Sequence, residues 1–256
     1  MRSALIAVIV YTVTLVARFG LPEGPPALFG SVLPQLLVAL ASLRVAMSFD
    51  AEDPPRRGWI LIGVAALTMI ATRVVNWLQP ESYANEVILM VSNALFVAGV
   101  LVFYLIVRRN PLIRRISPRS RPWVIAASVL AVFAAAVGSV IMGKRLLSVG
   151  WTGEVADWTR LAALFGLLCD ATVCLVSLQL VGLLFPMTGA AATRPYLLLA
   201  VAGLIFLLLD MLGFLLTDDF GYADFGIVLR LIVLIAWAVY TAAAVEQLYV
   251  LRDTRV

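Results

Sequence analysis

Histidine is absent from this 256-residue chain, and lysine occurs once, at Lys144. The first absence excludes haem ligation by histidine, a His-Glu-x-x-His zinc site and any Ser-His or Cys-His nucleophile pair. The second leaves no lysine in the last apolar run, where a retinal Schiff base would need one. Neither a G-x-S-x-G elbow nor a P-loop occurs. Cysteine is scarce. Cys169 and Cys174 point about 140° apart on one helix, too divergent to bridge, and read as small packing residues. No cofactor is expected.

Charge is sparse too, at 13% of residues, against 63% apolar residues and a mean hydropathy of +1.03. What the chain has instead is long apolar runs. A hydrocarbon core about 30 Å thick takes about 20 apolar residues per helical span. The runs are Ala4–Ala17, Leu28–Met47, Trp59–Leu78, Val87–Val107, Trp123–Met142, Trp158–Phe185, Tyr196–Leu216 and Phe225–Leu251. The first is short, and its flank could extend it to Phe19. Proline and glycine punctuate the gaps, among them Pro25, Pro54, Pro80, Pro111, Gly150 and Pro186. Lipid offers the backbone no hydrogen bonds, so each run is predicted to be a helix. The fold class is all-α: a polytopic membrane bundle of eight transmembrane helices in one domain, 1–256, built as four hairpins.

The loop charges orient it. One side carries Arg2, Arg44, Arg56, Arg57, the six arginines of Arg108–Arg121, Arg194, Arg252 and Arg255, with only Asp50, Glu52, Asp53 and Asp253 as acids. The other side holds Glu23, Glu81, Glu86, Glu154, Asp157, Asp218, Asp219 and Asp224. The basic side is expected to be cytoplasmic, with both termini inside. A prokaryotic inner membrane is the expected location. The first run could alternatively be a signal peptide, but Leu15-Val16-Ala17 offers no A-x-A cleavage site. The net charge of +4 is thus a topology signal, and no nucleic-acid partner is expected. The Arg108–Arg121 run is expected to rest on anionic lipid headgroups. A membrane-protein partner or a second copy is the other contact considered.

The acidic-side turns share a pattern. Arg73, Lys144 and Asp210 each stand seven residues before Pro80-Glu81, Trp151-Thr152 and Thr217-Asp218. Tyr83-Ala84-Asn85, Val155-Ala156-Asp157 and Tyr222-Ala223-Asp224 follow. Hairpin repeats over 1–53, 54–121, 122–193 and 194–256 would explain this, as would convergence on acidic turns. Asn85, Asp157 and Asp224 also suit helix N-caps.

Polar residues inside spans cost about 2.5–3.5 kcal/mol each on insertion scales and need a partner or a purpose. Asp170 lies mid-span, too short to snorkel, with Gly166, Cys174 and Ser177 on its face. Two roles fit it: a proton, cation or amine site, or a structural hydrogen-bonding acid. Arg73 and Asp210 share a depth in the third and seventh spans, and an interhelical ion pair would offset their desolvation. With Gln35, Asn93, Arg160 and Arg230, they place polarity in one half of their spans. Glu246 and Gln247 read as close to the cytoplasmic surface. This asymmetry predicts a polar vestibule ending at Asp170, with Asp170, Asp210, Arg73, Arg230, Asn93 and Gln35 as the substrate- or ion-binding residues. Pro34 could kink the second span toward it.

Ala127, Ala131, Ala135 and Ser139 recur every fourth residue, a ridge for close packing that suggests a central fifth helix. Trp59, Trp77, Trp123, Trp151 and Trp158 sit at span ends like an interfacial belt, and Trp237 reads as internal. An aspartyl enzyme would need Asp170 and Asp210 at one depth. Helix rise separates them by about 5–10 Å, so no catalytic activity is expected. A transporter or channel-like carrier of a small solute or ion is the leading expectation. A sensor module or an accessory subunit of a larger membrane complex is the alternative.

Overall fold

The computed structural model describes residues 2–21, 25–79, 82–109, 122–149, 153–216 and 222–253. Among these, helix is the only extended regular structure. The elements are α1 (Arg2–Gly20), α2 (Pro25–Met47), α3 (Pro54–Leu78), α4 (Ala84–Arg109), α5 (Pro122–Val149), α6 (Val155–Leu216) and α7 (Tyr222–Asp253). Pro25 and Pro54 open their helices, where a missing N–H costs nothing.

A straight α6 of 62 residues would be about 90 Å long. It is not straight. A β-carbon at Gly203 would lie 3.0 Å from the Cys174 backbone nitrogen, and one at Gly166 would lie 3.7 Å from Asp210 Oδ2. The chain therefore reverses between Cys174 and Gly203, and two antiparallel arms, carrying the apolar stretches Val155–Leu184 and Thr193–Leu212, pack on each other. With these arms counted separately, seven helical stretches are long and apolar enough to cross a membrane; α1, at Ala4–Gly20, is a shorter apolar helix. The protein is a helical bundle of the multi-pass membrane type.

The packing order is α1 against α2 and α7, α2 against α3 and α7, α3 against α4, α4 against α6, and α6 against α5 and α7. Apolar burial concentrates where α2, α3, α4, α6 and α7 meet, around Val38, Ile62, Phe96, Leu180, Leu199 and Tyr240. Ser92 ties α4 to α3 by donating to the Ala65 carbonyl at 2.7 Å, a bond made out of reach of water.

Several expectations change here. The alanine ridge faces inward: Ala131 is fully buried, and Ala127 and Ala135 pack with Leu167, Leu178 and Leu207, while Ser139 is half-buried. Yet α5 is a peripheral helix that packs on α6, and its other face exposes Val129, Phe133 and Val140. Small residues license close approach but do not say how many neighbours approach. Trp59 leaves the interfacial belt. It is buried, 5.3 Å from the Phe103 ring. Glu246 and Gln247, read as near the membrane surface, are enclosed by the bundle at that end of α7, where Arg194 reaches Glu246 at 3.3 Å. Arg114, Arg115, Arg119, Arg121, Glu23, Glu81, Trp151, Asp218 and Asp219 lie outside the described residues, as do the side chains of Trp123 and Asp224.

Candidate functional site

Two cavities open inside the bundle, in the half bounded by the α1–α2, α3–α4 and α6–α7 connections. The deeper, about 230 Å³, is walled by α3, α4, both arms of α6 and α7, and takes in Asp170, Asp210, Asn93 and Arg73. At about 30 Å³ per molecule of liquid water, it has room for several waters. The second, about 350 Å³, lies between α1, α2, α3 and α7 and takes in Arg18, Gln35, Arg73 and Arg230. Arg73, Val233 and Trp237 line both, so the cavities adjoin. All six residues predicted to bind substrate line one or the other. Pro34, in the middle of α2, lines the second.

Asp170 and Asp210 face each other across the α6 hairpin, their carboxyl groups within hydrogen-bonding reach. Two ionised carboxylates offer acceptors only, so a hydrogen bond between them forms only when one carries a proton. The depth argument against such a pair fails for a geometric reason. Gly166 is level with Asp210 and Cys174 with Gly203, which sets the two aspartates about one helical turn apart. Every Cα–Cβ bond tilts toward its helix's N-terminus. In antiparallel arms those tilts oppose, so Asp170 leans toward the level of Asp210 and Asp210 leans back. One turn of offset is closed by the side chains.

The expected Arg73–Asp210 ion pair does not form. Among the described residues, the ion pairs are Arg160–Asp157 and Arg194–Glu246. Arg73 and Asp210 share a depth, but α4 packs between their helices, so they line different walls of one cavity. Arg73 instead lines the second cavity together with Arg18 and Arg230. Three guanidinium groups thus cluster around the second cavity.

Gly166 keeps the deep cavity open on one side. A β-carbon there would lie 3.2 Å from Asn93 Nδ2, tighter than ordinary contact. Four aromatic rings form the opposite wall. Phe96, Phe206, Trp237 and Tyr240 pack with centroids 5.3–6.1 Å apart, and all line the deep cavity. Sequence reasoning missed Phe96, Phe206 and Tyr240, since aromatic residues in an apolar run carry no depth or direction. Gly166 was legible as part of the small-residue stripe on the face of Asp170, which suits close packing or a narrow wet cavity.

Gln35 is buried beside the second cavity, its amide nitrogen positioned to donate to the Ser31 and Val32 carbonyls at 3.0 and 3.1 Å. Asp157 does not cap α6 in the N-cap position. It lies in the first turn, where one oxygen accepts from the Gly153 N–H at 2.9 Å and the other pairs with Arg160 at 3.1 Å. Gly153 has φ of +81°, which brings its N–H round to that carboxylate and suits glycine alone. At α4, Ser82 Oγ accepts the Ala84 N–H at 3.2 Å, while Asn85 Oδ1 is buried without a partner. The cysteines are free and buried.

No protein-family model, no curated protein and no solved structure matches the chain.

Proposed function

We propose that the protein is a transporter or channel-like carrier of a small charged solute. Asp170 and Asp210 are its deep binding groups, and Arg73, Asn93, Gln35 and Arg230 line the approach. The observation that carries this reading is the run of two adjoining polar cavities through helices of membrane-spanning length, from the carboxyl pair past Arg73 to Arg18 and Arg230. Intramembrane ionisable groups are costly, and groups gathered on one cavity point to a shared task. In this reading α1 is an eighth span. Both termini lie on the cytoplasmic side of a prokaryotic inner membrane, and the Arg108–Arg121 segment rests on anionic lipid.

The test is flux in proteoliposomes, using a panel of radiolabelled small ions and zwitterions. Asp170→Asn is expected to lower uptake of the transported compound at least about tenfold, the loss of one charged hydrogen bond, with unchanged yield and elution. Uptake equal to wild type contradicts the proposal.

The carboxyl contact favours a second reading, an intramembrane aspartyl hydrolase, because a shared proton between two aspartates is the working state of such enzymes. Counterflow separates the two. A carrier exchanges labelled for unlabelled solute without chemical change, whereas a hydrolase yields a new product.

A further inference from the structure

The charges along the joined cavities are sorted by sign. At the deep end stand Asp170 and Asp210, beside the rings of Phe96, Phe206, Trp237 and Tyr240. Aromatic faces carry partial negative charge and attract ammonium groups, most strongly where water is excluded. At the junction stands Arg73, and beyond it Arg18 and Arg230. A simple cation in the joined cavities is attracted by the carboxyl pair and repelled by Arg73 beside it. A simple anion is held at the arginines and repelled from the deep end. A short molecule carrying both signs is favoured at both.

A second observation points the same way. Trp237 is only 4% exposed and lines both cavities, yet its indole N–H donates to none of the described residues. Arg73 lines the same two cavities, so an oxyanion held between it and that donor would accept from both. Tyr240, also 4% exposed, lines the deep cavity with its hydroxyl bonded to none of the described residues. Asn93, partly buried, lines the same cavity with its side chain bonded to none of the described residues. Polar groups enclosed this way are ordinarily bonded, and those left over face whatever fills the space.

We infer that the solute is a small zwitterion, its ammonium group seated between the Asp170–Asp210 pair and the aromatic wall, and its oxyanion at Arg73 and the Trp237 indole N–H. The inference rests on reading the cavities as a solute site, and it does not require transport.

Binding to the purified full-length protein in nanodiscs tests it, by calorimetry and thermal shift, with four probes. Glycine betaine and γ-aminobutyrate carry both charges, tetramethylammonium only the cation, and butyrate only the anion. At least one zwitterion is expected to bind about tenfold or more tightly than either single ion. Asp210→Asn should remove most of that advantage and leave butyrate binding unchanged. Should Asp210→Asn fail to fold, Trp237→Phe serves instead. It keeps an aromatic face and deletes the donor, and it should weaken zwitterion and butyrate binding more than tetramethylammonium binding. Single ions binding as tightly as the zwitterions, or neither zwitterion binding, overturns the inference. Zwitterion binding without flux would defeat the carrier reading and leave this one standing. Flux of a simple ion without zwitterion binding would do the reverse.

Discussion

Arg194, on the second arm of α6, reaches Glu246 of α7 at 3.3 Å, and the two partners are buried very unequally: 53% of the arginine side chain is exposed, against 6% of the glutamate. Glu246 Oε2 has no partner among the described residues. The pair closes the bundle at the end away from the cavities, and its unequal burial makes the two deletions unequal. Arg194→Gln strands a buried carboxylate and is expected to cost about 2–3 kcal/mol. Glu246→Gln leaves a guanidinium that solvent or headgroups can satisfy and should cost less than about 1 kcal/mol. Thermal unfolding of both variants in one detergent checks the order. Equal losses would place the pair at the surface.

Gly166 is expected to be the residue whose enlargement most directly fills the deep cavity. Gly166→Leu would project its side chain toward Asn93 and Asp210, whose atoms already lie 3.2 and 3.7 Å from a β-carbon there. Solute binding should fall at least about tenfold, because occupied space cannot hold a ligand and the polar groups lose their partner. Titration calorimetry reads the change. Binding retained at wild-type strength would place the solute elsewhere.

The edge position of α5 gives a contrast on neighbouring residues. Ala131 is fully buried against α6, whereas Val132 is 54% exposed. Ala131→Leu should overpack that contact and cost about 1–3 kcal/mol. Val132→Ala should stay within about 0.5 kcal/mol, the range of surface substitutions. Stability curves for the two variants decide whether α5 docks through this ridge.

The bundle was legible because each run of apolar residues between prolines and glycines has the length a helix needs to cross a bilayer. Position along each helix was equally legible, since every residue adds about 1.5 Å. That is why Arg73, Asn93, Asp210, Gln35 and Arg230 group together in the sequence. Direction around the helix was not legible. Arg73 and Asp210 share a depth but sit on helices separated by α4, so equal depth did not make a pair. Asp170 and Asp210 differ in depth by about a turn, and opposed side-chain tilts across the hairpin brought them together. The aromatic wall stayed hidden because Phe96, Phe206 and Tyr240 look like any other apolar residue in a span.

The account depends on water reaching the carboxyl pair through the cavities, and cysteine accessibility tests that directly. In a background with Cys169→Ala and Cys174→Ala, Asn93→Cys would place a thiol on the cavity, and Val91→Cys would place one on the outer face of α4, where residue 91 is 48% exposed. The reactive species is the thiolate, which needs water. In liposomes, a small hydrophilic thiol reagent should label position 93 at least about tenfold faster than position 91. Adding Gly166→Leu should abolish the difference. Labelling of position 93 no faster than position 91 would mean a dry interior, and the carboxyl pair would then be structural.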